Sequence, residues 1–278
     1  MYNYNLTREA SDNEVEQICR LINQRLGFNY DTQKKYLVQS RLNKRLIELN
    51  LDNYQAYLDL LAKDPSEFNR LVSLVTTNVT SFFRESYQFQ ILRQELLPDL
   101  IAGTGNRKDK KVRCWSAGCS SGEEAYTLAI VMNEALGEGW DLRVLASDVS
   151  IVKLREGMAG EYHQERIGEI PKELREKYFT QLKGRPNYYK VKPRLREQIN
   201  FQKINLVERM DIPDSIRFDL ILCRNVFIYL ARPAQERVVQ GFYHFLKKGG
   251  YLFLGLSESI NFADPKWIPY KRSIYRKK

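Results

Sequence analysis

The stretch WSAGCSSGEEAYTLAI, residues 115–130, constrains this chain more than any other. A strand end runs into a loop of small residues and then into an apolar helix, which places the loop at the carboxyl edge of a sheet, where α/β folds bind ligands. No phosphate motif fits it. Gly118 and Gly122 stand four apart rather than in G-x-G-x-x-G spacing, and no Gly-Lys-Ser/Thr follows. Glu123 and Glu124 open the helix instead. As first-turn acids both suit the positive end of the helix dipole, and the bare sequence does not separate a local role from a ligand role for either. A pyrophosphate on this turn would meet two carboxylates, so the loop suits a ligand that is neutral or cationic there. S-adenosylmethionine, with a sulfonium, an ammonium and no phosphate, has that character.

The pattern continues downstream. VRCWSAG, DLRVLASD and RFDLILCRN are short apolar or alternating runs separated by helix-length segments, as in a parallel sheet with crossovers. GGYLFLGLSES adds a strand, and WIPYKRSIYRKK is expected to return as a single basic edge strand. Asp148 ends the second run 26 positions after Gly122, where a nucleoside ligand needs an acid on its ribose; it also reads as a cap for the next helix. Asn225, after RFDLILC, faces the same cleft. Between about 160 and 200 the alternation breaks. A charged helix at 171–182, a turn at 183–186, NYYKVK and LREQINFQKI read as a small antiparallel insertion.

The first hundred residues read as helices. Ser11 and Glu14 form a capping box ahead of Val15, Ile18, Cys19, Ile22 and Leu26, closed by Gly27. A second helix at 32–49 buries Val38, Leu42, Leu46 and Leu49 and carries Lys34, Arg41, Lys44 and Arg45 on the adjoining stripe. Helices at 54–62 and around Phe68, Leu71, Val72 and Val75 follow, then a linking helix at 86–101. Ahead of that linker, TNVTSFFRE offers Asn78, Thr80 and Ser81 as loop and capping residues. Phe82-Phe83 beside Arg84 reads either as a stacking wall or as buried aromatics at a helix start.

Composition narrows the setting. The net charge of +10 favours an acidic partner without choosing among nucleic acid, membrane surface and protein. No apolar run approaches the roughly 20 residues of a membrane span. No secretory signal opens the chain, and Cys19, Cys114, Cys119 and Cys223 lack CxxC pairing, so a reducing cytoplasm is expected. His163 and His244 have no ligand-spaced partners, and no metal is expected.

TNVTSFFRE, WSAGCSSGEEAYTLAI with ASD behind it, and LCRNVFIYL followed by GGYLFLGLSES closely resemble the chemotaxis receptor glutamate methyltransferases, the CheR family. The resemblance covers nearly the whole chain. It implies an α/β class I S-adenosylmethionine-dependent methyltransferase domain (Rossmann-like) at 86–278, with the small antiparallel β insertion at about 160–200, preceded by a small all-α domain at 1–85. The implied activity is protein-glutamate O-methyltransfer from S-adenosyl-L-methionine, yielding S-adenosyl-L-homocysteine and methyl esters on the cytoplasmic helical region of methyl-accepting chemoreceptors, for chemotactic adaptation. By motif, Asn78, Thr80, Arg84, Glu124, Asp148, Val149, Asn205, Leu206, Asn225 and Val226 are implied cofactor contacts. Arg84 and Tyr229 are implied to position the substrate carboxylate.

The basic stripe then acquires a partner. Arg41, Lys44 and Arg45 become expected docking residues for acidic receptor helices, since complementary fields steer and register such encounters. Some family members hold a receptor tether peptide with a glycine-rich extension in the insertion. LKGRPNYYKV has one glycine, so docking without a tether is expected. A monomer is expected, cytoplasmic and recruited to membrane receptor arrays, with no nucleic-acid partner and no membrane insertion. Two other readings stay open. A nucleic-acid methyltransferase would share the sheet and the basic charge, but the Asn/Asp-Pro-Pro-aromatic turn common in base methylation is replaced by Arg224-Asn225-Val226-Phe227. A cofactor-binding adaptor would keep Asp148 without transferring a methyl group.

Overall fold

The computed structural model describes residues 9–30, 35–76, 79–102, 110–260 and 264–278. Four helices come first: α1 (Asp12–Leu26), α2 (Lys35–Glu48), α3 (Tyr54–Lys63) and α4 (Pro65–Val75). The Ser11–Glu14 capping box starts α1, and Gly27, at φ 66°, ends it. Val38, Leu42 and Leu46 are the buried face of α2. The linker is α5 (Ser86–Ile91), a π-helical turn (Leu92–Leu96) and α6 (Leu97–Ala102), rather than one uniform helix. Pro98 has no N–H for the α ladder and crowds the carbonyl four residues back, and the widened turn before it accommodates both.

The α/β portion runs β1 (Lys111–Ala117), α7 (Glu123–Leu136), β2 (Asp141–Asp148), α8 (Ile151–Ala159), β3 (Glu161–His163), α9 (Gln164–Ile167), α10 (Lys172–Tyr178), β4 (Phe179–Leu182), β5 (Arg185–Val191), α11 (Pro193–Arg196) and β6 (Ile199–Lys203). It closes with β7 (Phe218–Cys223), a 3-10 turn (Phe227–Tyr229), α12 (Arg232–Phe245), β8 (Leu246–Leu254), β9 (Trp267–Lys271) and β10 (Ile274–Lys277). The main sheet has the order β6-β2-β1-β7-β8-β10-β9. Its first five strands are parallel, and β10 and β9 join antiparallel. A separate antiparallel sheet, β3-β5-β4, forms the insertion.

Three expectations change here. The segment LREQINFQKI does not belong to the insertion: its β6 pairs parallel with β2, because Ile199 and Phe201 continue the main sheet beside Val144 and Ala146. The charged helix stops at Tyr178, and 179–182 is strand, its Phe179 buried. The chain end is a hairpin rather than one edge strand. Ser273, in the left-handed region at φ 58°, reverses it, so β10 lies inside the sheet and β9 takes the edge.

Period-two alternation splits the strand side chains between two cores. Trp115, Ile221 and Leu252 point into one core with α1–α4 and α12; Cys114, Val144, Leu220 and Phe253 point into the other with α5–α7 and the insertion. The helical module therefore shares a core with the sheet. Lys203 Nζ donates to Asn69 Oδ1 (2.7 Å), and the Ser73 and Ser150 hydroxyls bond at 2.7 Å across the same seam. The four cysteines are buried and unbridged. No helix among the described residues is long and apolar enough to cross a membrane.

The basic stripe on α2 is less free than its sequence implies. Arg45 forks onto the buried carboxylate of Glu67 (Nε–Oε1 3.0 Å, Nη2–Oε2 2.6 Å), which also accepts from the Tyr57 hydroxyl (3.0 Å). Arg41 donates to the Val75 carbonyl. Lys44 stands exposed, and Lys34 lies outside the described residues. Removing one partner of a buried pair strands the other charge at a cost of roughly 3–5 kcal/mol. Arg45→Ala is therefore expected to lower the unfolding free energy measured by urea titration by that order, while Lys44→Ala leaves it within about 0.5 kcal/mol.

Candidate active site

At the carboxyl ends of β1, β2 and β7 lies a cleft with about 990 Å³ of empty space, counted out to open solvent. Its floor is the loop after β1. Gly118 and Cys119 N–H groups both donate to the Ser147 carbonyl (2.7 and 2.9 Å), folding the loop over β2. Gly118 sits at φ 82°, and a Cβ there would lie 2.5 Å from Val226 Cγ2, so only glycine lets the loops after β1 and β7 meet this closely.

Asp148 closes the next side. One oxygen accepts from Ser120 N (2.8 Å) and the other from Ser150 N (2.8 Å). It does help to order the start of α8, and it also lines the cleft. Burial pushes its carboxyl up from the ordinary range, against the pull of those N–H groups. Beside it the Ser120 hydroxyl is buried and finds no hydrogen-bond partner among the described residues.

The two glutamates separate. Glu123 turns into the protein, fully buried, ion-paired with Arg166 and accepting from Ser121 Oγ (2.9 Å). Glu124 faces the cleft, accepting from Ser116 Oγ (2.7 Å) with Arg224 Nη1 at 3.6 Å. Burial raises the Glu124 carboxyl, and Arg224 and Ser116 oppose the rise.

After β7 the chain makes a sharp turn, with Asn225 at φ 59°. Glu258 holds it, accepting from the N–H groups of Asn225 (2.9 Å), Ile228 (3.1 Å) and Gly255 (2.7 Å). Arg224, 5% exposed, reaches Glu85 Oε2 (3.0 Å) and the Arg84 carbonyl, and its guanidinium lies 5.1 Å from the Phe89 ring centre. Glu85 in turn accepts from Asn225 Nδ2 (3.2 Å).

The structure gathers Thr80, Arg84, Glu124, Asp148, Val149, Asn205, Leu206, Asn225, Val226 and Tyr229 around this one cleft. Asn78 lies outside the described residues. Arg41, Lys44 and Arg45 do not line it. Phe82 is no ligand wall: it is buried edge-on against Tyr162 and Phe179 of the insertion, and Phe83 packs on Phe89. Sequence reading missed Arg224, Glu85, Glu258 and Ser120, and also Leu26 and Phe28, which wall the cleft from the helical module. Arg224 had a signal, a charge closing an otherwise apolar strand, which must find counter-charges when buried. Glu258 had none. Among the described residues no cluster of three or more His, Cys, Asp or Glu side chains could hold a metal.

Two carboxylates, an orphaned hydroxyl and the apolar Val149, Ile204 and Leu206 suit a ligand with hydroxyl donors, a cationic group and a flat apolar part. Arg84 adds one cation at the cleft, its Nη1 bonded to the Val79 carbonyl (2.7 Å).

Comparison with known proteins agrees with this chemistry. Residues 78–274 match the CheR methyltransferase SAM binding domain, and residues 13–76 match the CheR methyltransferase all-alpha domain. The chain is 36% identical over 262 residues to a chemotaxis protein methyltransferase of Borreliella burgdorferi, covering 92% of each. It is 35% identical to that of Klebsiella aerogenes (95% of this chain, 89% of the relative) and 30% identical to that of Escherichia coli (95% and 91%).

The raised carboxyls carry a sign. A ligand drawn by ionised Asp148 and Glu124 binds fully above their raised pKa values and is lost as pH falls through them, at a higher pH than reference carboxyls near 3.9 and 4.3 would allow. Calorimetry with S-adenosylmethionine at progressively lower pH is expected to show affinity lost at a higher pH than those reference values would set, and Asp148→Asn to flatten the loss.

Proposed function

We propose that this chain, which belongs to the CheR methyltransferase family and is an S-adenosylmethionine-dependent methyltransferase, methylates glutamate side chains of chemoreceptors for chemotactic adaptation. The observation that carries the reading is the single cleft that brings the acids Glu124 and Asp148 together with Arg84 and Tyr229. The residues fit the cofactor: the Ser120 hydroxyl lacks a partner among the described residues, and the acids would repel a phosphate. S-adenosylmethionine supplies a methyl group on a sulfonium, an electrophile whose leaving group is neutral.

In this reading Asp148 accepts from the ribose hydroxyls with Ser120 beside it, and Val149 and Leu206 cover the adenine. Glu124 faces the cationic amino-acid end, and Thr80, Asn205, Asn225 and Val226 complete the cofactor wall; Asn78 joins them on its motif alone. No general base is required. A glutamate with a reference pKa of about 4.3 is already an ionised nucleophile at pH 7. Arg84 draws that carboxylate in and Tyr229 orients it, so catalysis rests on placing the oxygen and excluding water. A full bidentate clasp by Arg84 would blunt the nucleophile, and a single orienting contact serves better.

Lys44 leads the proposed docking face for acidic receptor helices, with Arg41 and Arg45 adding field from partly buried positions. Only Lys183 and Gly184 join β4 to β5, which supports docking without a tether peptide held in that loop. The protein is proposed to act as a monomer.

Labelled cofactor incubated with cytoplasmic receptor fragments is expected to give base-labile methyl groups, as esters do; base-stable label would sink the reading. Arg84→Ala should lose transfer by about 100-fold or more, of the order seen when a positioning contact is removed, with cofactor affinity reduced far less. Asp148→Ala should chiefly weaken cofactor binding. Lys44→Glu, which leaves the Arg45–Glu67 pair alone, is expected to raise the receptor KM while sparing the melting temperature; an unchanged KM would remove the docking face.

A further inference from the structure

The connection after α1 enters the cleft as a built part. Gly27 is wedged where a Cβ would meet Val207 Cγ1 at 2.7 Å and Ala234 Cβ at 2.8 Å. Phe28 then pairs with Leu230 in an isolated antiparallel bridge. Asn29 N donates to the Tyr229 carbonyl (2.9 Å), and Ala231 N donates to the Gly27 carbonyl (2.8 Å). The Phe28 ring, 9% exposed, lies 6.1 Å from the Tyr229 ring, with 36° between their planes. Both rings line the cleft.

This connection is itself held. Asn23 clasps the backbone of Tyr30 through both side-chain atoms (2.6 and 2.9 Å), and the Tyr30 hydroxyl donates to the Val75 carbonyl (2.7 Å). Phe28 packs on Tyr30 at 5.7 Å. A ring fixed on one side by α1 and α4 thus supports Tyr229, which otherwise sits on a short 3-10 turn with a partly exposed side chain.

We propose that Phe28 is a positioning residue for methyl transfer, holding Tyr229 in its working orientation through the ring contact and the bridge to Leu230. This rests on the reading that the Tyr229 hydroxyl orients the substrate carboxylate. The helical module then completes the active site as well as docking the substrate.

A double-mutant cycle on the full chain tests it, using Phe28→Leu, Tyr229→Phe and both together, with S-adenosylmethionine and helical cytoplasmic receptor fragments. Phe28→Leu is expected to lower kcat about three- to tenfold, the scale of one lost aromatic pair. Receptor KM, cofactor affinity and melting temperature should stay near wild type. In the Tyr229→Phe background the same change should cost nothing further, because the hydroxyl to be positioned is gone. Losses that multiply, or an unchanged kcat in folded Phe28→Leu, would overturn the proposal, as would an effect confined to cofactor affinity. If Tyr229→Phe alone keeps full kcat, the role given to Tyr229 fails first. Phe28→Met, similar in volume and unbranched, replaces Phe28→Leu if the latter melts early.

Discussion

The site is organised around one buried guanidinium. Arg224 leaves the end of β7 and meets two separate parts of the chain: Glu124 at the start of α7, and Glu85 and the Arg84 carbonyl on the segment that joins the helical module to the sheet. Buried charge is tolerated only when paired and bonded, so these partners are fixed relative to one another. Arg84 and Glu124, one on each wall of the cleft, cannot move independently while Arg224 holds both.

Glu258 does the same work on the other side. Its carboxylate collects three N–H groups from the turn after β7 and the end of β8, which lets Asn225 sit at positive φ without leaving those donors unsatisfied. Gly118 meets Val226 over that turn. The cleft wall is therefore fixed by polar groups that a period-based reading does not register, while the strands beneath it are fixed by apolar ones that it does.

That division explains what the sequence revealed. Strands β1, β2, β7 and β8 and helix α1 were legible because burial imposes a period on their side chains and caps mark their ends. LREQINFQKI went to the wrong sheet because local alternation is the same in both, and only pairing with β2 decides. Of the site, the residues inside long motifs were legible by resemblance. The Glu123–Glu124 distinction was not a property of the local sequence at all, since Arg166, 43 and 42 positions away, is what claims Glu123. The tie on Arg45 was hidden for the same reason: its partner Glu67 is on another helix.

Charge is segregated between the surface and the cleft. The chain as a whole is +10, and an exposed basic residue, Lys44, stands on the helical module. Around the cleft, among the described residues, Glu85, Glu124, Asp148 and Glu258 face Arg84 and Arg224, so acids prevail there. An anionic cofactor would be drawn to the surface and repelled at the site; a cationic one meets the reverse. On the proposed function, Arg84 is the cation that would answer a glutamate carboxylate at the cleft, and its backbone is already held by Arg224.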